Sequence, residues 1–335
     1  MRSKMTILVS IYGLFQIVTW VFWWAKNELI AKGFCCGYTH SIQRILLDES
    51  GETGIFSLMI ALIFSGIPHE KTPLIFVGGV YLLTGVYLWK KTEGNLLCVL
   101  LYFSMPAPFV AAHRLDFYIF GQLTLFFFWF LFQKRKKSIT QIGLLGLIFL
   151  VPYLSARSTD NILLLGAICS FAFLRYPILL ALCVGLLLSA LQVADGTGIS
   201  YYQSEYSLLS TIDYFQISTY GSYLFWRGIG VLPFSLVVIF AIIYRRKIPK
   251  SIWLWIVGCY AVLTLTTKKN HYYIFVLWPV FPLIVHYATK HIKNTQIYRI
   301  SSVVLLVWSV LLQLSLFPQN PFHNSISLIQ GNGRW

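Results

Sequence analysis

Long apolar runs recur along nearly the whole sequence, and short basic segments separate many of them. Runs of about 15–23 residues match the length that a helix needs to cross a hydrocarbon layer about 30 Å thick. Only 11% of the residues are charged, whereas soluble domains contain about 25%. No long polar segment is left to form a separate soluble domain. The sequence therefore predicts an all-α protein, a polytopic transmembrane helical bundle.

About eleven spans are predicted. Their ranges are 7–24, 73–89, 96–112, 116–132, 139–155, 161–174, 177–193, 222–244, 251–267, 272–287 and 300–317. The first run lacks a following A-x-A cleavage pattern, so we interpret it as an uncleaved span rather than a signal peptide. Residues 1–318 are predicted to form one transmembrane domain, and residues 319–335 a short extracytoplasmic tail.

The net charge of +15 resides in short clusters between apolar runs. This distribution is typical of cytoplasmic loops, so we predict no nucleic-acid partner. The four main clusters are residues 89–91, 133–137, 244–247 and 290–299. All four share one face when the predicted spans alternate between them. The basic N-terminal end, residues 1–4, lies on the same face only if the weaker apolar stretch 54–67 is a re-entrant or interfacial segment rather than a full crossing. The prediction is a multi-pass protein of the inner cell membrane, with a cytoplasmic N terminus and an outer C terminus.

The predicted outer face carries almost all the acidic residues and two large loops, 25–72 and 194–221. The need of carboxylates for water explains why they lie in loops. It explains less well why they are divided so unevenly between the two faces. Carboxylates gathered with a few cations at one surface indicate a site there.

Two short constellations on this face combine charged and aromatic residues. Arg114 and Asp116 lie where one predicted span ends and the next begins. They suit either a structural ion pair or a ligand site. The second constellation is Lys268, Lys269, His271 and Tyr272. Its lysines lie on the predicted outer face, although lysine and arginine are usually enriched in cytoplasmic loops. This exception favours an anionic partner such as a lipid phosphate. The alternative is an aromatic belt with solvated lysines.

The first outer loop contains the carboxylates Glu28, Asp48 and Glu49. Such a group can act as a general base towards an attacking hydroxyl. Paired carboxylates can instead hold a divalent metal, and a solvated acidic loop is a third interpretation. The six cysteines show no metal-binding spacing, and no cofactor is predicted.

Three stretches carry a family resemblance. Residues 112–120 place Arg114 and Asp116 at the start of a span rich in Phe and Leu; residues 226–234 combine aromatic residues, Gly and Pro before a later span; and residues 267–279 contain Lys-x-x-Tyr-Tyr followed by Pro279. Together they resemble the motifs of GT-C membrane glycosyltransferases of the protein-O-mannosyltransferase and lipid A aminoarabinose-transferase kind. The resemblance covers roughly residues 70–290.

The resemblance implies transfer of a sugar from a polyprenyl-phosphate-linked donor to a lipid, glycan or protein acceptor on the outer face. A first-loop carboxylate would activate the acceptor hydroxyl, and cationic residues would hold the departing phosphate. The family has an acidic pair soon after the first span, whereas here only Glu28 lies close to it. We rank Asp48 first as the base, Glu28 second and Glu49 third.

Other functions remain open at the level of sequence. A transporter or flippase of lipid-linked saccharides is expected to show repeats and ionisable groups at mid-membrane. No repeat is visible, and the charges lie near span edges. A polysaccharide polymerase or ligase would share the spans and outer loops. A non-catalytic membrane protein would need no clustering of Asp48, Arg114 and Lys268.

Overall fold

The computed structural model describes residues 10–19, 72–106, 108–109, 118–132, 166–168, 170, 229–265, 275–290, 292 and 295–314. Within these ranges the regular secondary structure is helical and contains no strand. The helices are α1 (Ser10–Thr19), α2 (Thr72–Lys91), α3 (Leu96–Ser104), α4 (Tyr118–Phe132), α5 (Val231–Ile243), α6 (Lys250–Leu265), α7 (Val280–Thr289) and α8 (Gln296–Leu314). A 3-10 turn, Arg245–Lys247, joins α5 to α6. The predicted all-α class is confirmed for this part of the chain.

Two predicted spans are interrupted by proline. The span 96–112 is wrong as a single helix, because α3 ends at Ser104 and Met105 is extended (φ −80°, ψ 123°). Pro106 follows, and proline disfavours helical geometry in the residue before it. The span 272–287 is also not one helix, because residues 275–279 form a 3-10 turn and α7 begins only after Pro279.

The predicted span 222–244 is not one continuous helix. Helix α5 begins at Val231, and Gly230 before it has φ +85°, a backbone conformation that glycine adopts at little cost. Helix α8 begins at Gln296, earlier than the predicted residue 300. Thr295 explains this start, since its Oγ1 accepts a hydrogen bond from the Tyr298 amide at 3.3 Å, as a helix-capping side chain does.

Several predicted features lie wholly or mostly outside the described residues. They are the spans 139–155, 161–174 and 177–193, the stretch 54–67, the basic cluster 133–137, the loops 25–72 and 194–221, and the tail 319–335.

Helix α3 forms the centre of the described bundle. All of its residues are buried, and it packs against α2, α7 and α8. A helix that is apolar on every side must have neighbours all around it. Buried aromatic rings pack against it, and the ring of Phe103 meets Tyr12 edge-on at 5.8 Å and Tyr81 at 5.1 Å between centroids.

The absence of a side chain at Gly85 allows α2 and α3 to approach closely. A Cβ atom added at Gly85 would overlap the ring of Phe103, which is held among other buried rings. We expect Gly85→Ala to lower the stability of the purified protein by about 1–3 kcal/mol, the usual cost of overpacking. Gly79→Ala is the matched control on the same helix, since its Cβ would meet nothing within 4 Å. Equal melting temperatures for the two variants would contradict this packing.

Helix α8 has a polar buried face and an apolar exposed face. Its buried polar residues are Ser301, Ser302, Ser309 and Gln313. Its exposed residues include Ile300, Val303 and Val307, each more than half accessible. This is the reverse of the amphipathic pattern of a helix on a soluble protein. Among the described helices, α8 is long and apolar enough to cross a membrane; α1, α5, α7 and the 121–132 part of α4 are apolar but shorter.

Helix α1 shows the same reversal and pairs with α8 through its polar side chains. Tyr12 hydrogen-bonds Ser309, and the Gln313 amide donates to the Gln16 side-chain oxygen. Thr19 Oγ1 donates to Gln313 Oε1 at 3.1 Å. Because the pairing advances in step along both helices, α1 and α8 run in the same direction. Their apolar faces point outwards.

One end of the bundle is organised around Asn95. Its Nδ2 donates to Thr289 Oγ1 at 3.0 Å, and Tyr298 Oη donates to its Oδ1 at 3.2 Å. Nearby, Lys290 Nζ lies 3.8 Å from a Glu93 carboxylate oxygen. The end of α2, the starts of α3 and α8 and the end of α7 therefore meet here.

Helix α5 also ends at this end of the bundle. Gly230, the residue just before α5, packs against Pro106. Pro106 follows the C-terminal end of α3, which is the end away from Asn95. The turn that follows α5 contacts α7. We call this end the basic end, because it collects Lys90, Lys91, Arg245, Arg246, Lys247, Lys250, Lys290 and Arg299. The opposite end is called the far end.

Candidate functional site

All nine residues predicted for the site lie outside the described residues. They are Glu28, Asp48, Glu49, Arg114, Asp116, Lys268, Lys269, His271 and Tyr272. The structure does describe the helices from which their segments leave and to which they return. The directions of those helices therefore bear on where the segments are attached.

The first outer loop follows α1, whose last residue, Thr19, bonds Gln313 near the end of α8. Since α8 starts at the basic end, both helices lead to the far end. The last described residue of α1 therefore lies towards the far end, and Glu28, Asp48 and Glu49 follow later in the sequence, outside the described residues.

The segment with Arg114 and Asp116 is also attached there. It follows Phe109, whose amide bonds the Met105 carbonyl beyond α3. It precedes α4, which leads to the basic end, because Trp129 meets Tyr287 at 6.2 Å between ring centroids near the end of α7.

The segment with Lys268, Lys269, His271 and Tyr272 joins α6 to the turn 275–279. Helix α6 starts next to the basic turn and leads away from it. Helix α7 ends at the basic end, so the turn before it lies further from that end by the length of this ten-residue helix. The indole nitrogen of Trp255 donates to the Val276 carbonyl at 3.1 Å and fixes this turn against α6.

Two buried polar side chains lie close to the predicted motifs, one just after residues 112–120 and one within residues 267–279. Gln122 is fully buried on α4, one turn past Tyr118, and neither amide atom has a hydrogen-bond partner. The indole nitrogen of Trp278, in the turn before α7, is likewise buried and unpaired. Leaving such a group unpaired costs about 1–3 kcal/mol. These side chains offer one acceptor and several donors to a hydroxyl-rich ligand.

A third unpaired group lies on α2. The buried Tyr81 hydroxyl has no partner, and its ring lies 5.2 Å from that of Tyr102 between centroids. Tyr102 in turn meets Phe126 at 6.2 Å, one turn after Gln122 on α4. The helices that carry Tyr81 and Gln122 therefore both make aromatic contacts with Tyr102 of α3.

The Asn95 cluster at the basic end has a different character. Asn95 hydrogen-bonds both Thr289 and Tyr298, and His286 Nδ1 lies 3.5 Å from Asn95 Nδ2. These satisfied groups connect helix ends and offer few free donors or acceptors. We interpret the cluster as structural.

The sequence interpretation did not single out Gln16, Asn95, Gln122 or Gln313. Each is a polar amide within or beside an apolar run, and that contrast is the signal that would have found them. In the described ranges, no three His, Cys, Asp or Glu side chains group as metal ligands do. Neither a protein-family model, nor a curated protein, nor a solved structure matches this chain.

Proposed function

We propose that the chain is a multi-pass membrane glycosyltransferase that moves a sugar from a polyprenyl-phosphate donor to an acceptor at the far end, on the extracytoplasmic side. The observation that carries the proposal is the common attachment of three segments. The loop with Asp48, the segment with Arg114 and the segment with Lys268 all connect to helices at the far end. An acid and several cations from distant parts of the chain therefore have a common edge at which to meet.

The reversed helices support membrane embedding. Exposed Ile, Val and Leu side chains on α1 and α8 suit a hydrocarbon surround, and the seam of hydroxyls and amides between them is typical of helix contacts within membranes. The gathering of basic residues at one end supports a cytoplasmic orientation for that end.

The directions of the helices support the proposed count of about eleven spans. Helix α1 ends towards the far end and α2 starts there. The chain between them therefore makes an even number of membrane crossings, or none. This agrees with a re-entrant or interfacial role for 54–67. Helices α4 and α5 both end at the basic end, which requires an odd number of crossings between them. The proposed spans 139–155, 161–174 and 177–193 satisfy that requirement.

The proposed chemistry is a single displacement. A first-loop carboxylate, Asp48 in our ranking, accepts the proton of the acceptor hydroxyl. The acceptor oxygen bonds to the anomeric carbon as the bond from that carbon to the phosphate oxygen breaks. Polyprenyl phosphate leaves with the electron pair, and Lys268, Lys269 and Arg114 stabilise its negative charge.

The direct test is sugar transfer in membranes that contain the full chain. Radiolabelled polyprenyl-phosphate sugars are supplied, and label is followed into lipid, glycan and protein fractions. The proposal predicts transfer that requires the chain. A chain that cofractionates with the membrane but transfers no label from any donor in a panel of hexoses and pentoses would contradict it.

Gln122 separates a binding role from a structural one. We propose that its unpaired amide hydrogen-bonds the donor sugar, so Gln122→Met should lower transfer by about tenfold or more, the loss of roughly one good hydrogen bond. The same variant should melt at the same or a higher temperature, because it removes an unpaired buried amide. Gln16→Met, in the satisfied seam with α8, is the matched control and should lower the melting temperature. Unchanged transfer by Gln122→Met would exclude the amide from the site.

A further inference from the structure

An open cleft of about 750 Å³ lies between α5 and α6 at the basic end. Its lining residues are Val238, Ala241, Ile242, Arg245, Arg246 and Trp253. The cleft is a surface groove, since its lining residue Ile242 is 68% exposed.

The cleft is apolar along its length and cationic at its mouth. Val238, Ile242 and Arg245 recur at three- to four-residue spacing, so they line one stripe of α5 that continues into the turn. Seven residues of helix extend over about 10 Å. Trp253, on the first turns of α6, forms the opposite wall and is 37% exposed.

The cations at the mouth have no acidic partner in the described part of the chain. Arg245, Arg246 and Lys247 are exposed, and Lys250 follows at the start of α6. Glu93 is the acid within the described ranges, and it lies against Lys290. Guanidinium groups bind phosphate through paired hydrogen bonds. Charge complementarity therefore favours a phosphate with an apolar tail.

We propose that this cleft binds one anionic glycerophospholipid. Its phosphate lies on Arg245 and Arg246, and one acyl chain runs along Val238 and Ile242. Trp253 sits at the boundary between head group and chain, where tryptophan is enriched in membrane proteins. The inference rests on the membrane-spanning part of the proposed function and is independent of sugar transfer. The cleft lies at the end opposite the proposed donor site and would thus be a second lipid site.

The test is a titration of the purified full chain with dioleoyl phosphatidylglycerol and, separately, dioleoyl phosphatidylcholine, read by native mass spectrometry. The wild-type chain should retain one phosphatidylglycerol at concentrations that leave phosphatidylcholine unbound. Arg245→Gln with Arg246→Gln should weaken that binding by about 30-fold, as expected for two basic residues near an anionic lipid. The matched control is Lys90→Gln with Lys91→Gln, which removes the same charge at the same end, where Lys91 lies over the Tyr87 ring 5.5 Å from its centroid.

Three outcomes would overturn the lipid site. Equal weakening by the two double variants would mean that surface charge alone attracts the lipid. Unchanged binding by Ile242→Gln, which keeps both arginines, would exclude the apolar wall. Displacement of the lipid by an equal concentration of glycerol phosphate would show that a free phosphate suffices. Because the titration contains no sugar donor, its failure is distinct from a failure of transfer, and equal melting temperatures for all variants confirm that each is folded.

Discussion

Asp48→Asn is expected to reduce sugar transfer by about 10²–10⁴-fold, the usual contribution of a positioned general base. The amide keeps the size of the carboxylate but cannot accept the acceptor proton at neutral pH. The measurement is initial rate with a labelled polyprenyl-phosphate sugar, at equal amounts of protein in the membrane. Donor binding should change little, because the phosphate is held by other residues.

The other two carboxylates serve as matched controls for this result. Glu28→Gln and Glu49→Gln place the same chemical change in the same loop. We expect each to retain far more activity than Asp48→Asn. A large loss confined to Glu28→Gln would move the base to that residue. Full activity in all three variants would remove the first loop from the chemistry.

Lys268→Ala is expected to lower transfer by about 10²–10³-fold, comparable to the loss of one preorganised group that stabilises developing charge. The loss should appear mainly in the maximal rate, because the charge on the phosphate grows as the sugar leaves. Lys268→Arg keeps the charge and should recover part of the rate. Lys269→Ala tests whether the neighbouring lysine shares this role.

A lysine at the basic end provides the control for net charge. Lys90→Ala removes the same charge at the basic end and should leave transfer unchanged. Equal losses in Lys90→Ala and Lys268→Ala would show that the effect comes from expression or insertion. Retention of full activity by Lys268→Ala and Lys269→Ala together would exclude them from phosphate binding.

The sequence predicts best those helices that are bounded by charges. Helix α2 spans Thr72–Lys91 against the predicted 73–89, and α6 spans Lys250–Leu265 against 251–267. In both, Lys residues mark the basic end of a long apolar run. The runs that contain Pro106 and Pro279 were predicted as single helices, since hydropathy does not register the break at each proline: Met105 is extended before Pro106, and α7 begins only after Pro279.

Pairing between distant helices was beyond the reach of the sequence pattern. Gln16 and Gln313 hydrogen-bond one another across 297 positions, and nothing local to either residue indicates its partner. The sequence also does not predict that the side-chain amide of Gln122 lacks a hydrogen-bond partner, because a glutamine in an apolar run can be either paired or unpaired. The predicted site residues themselves lie outside the described ranges, so their roles remain predictions.

The most direct measurement is cysteine labelling in intact cells. The six native cysteines are replaced, and single cysteines are introduced at His113, Lys269 and Arg246. We predict that a membrane-impermeant maleimide labels the first two without permeabilisation and reaches the third only after the membrane is opened. Labelling of positions 113 and 269 from opposite sides would contradict the account, because Arg114 and Lys268 could then not bind one phosphate on the same face.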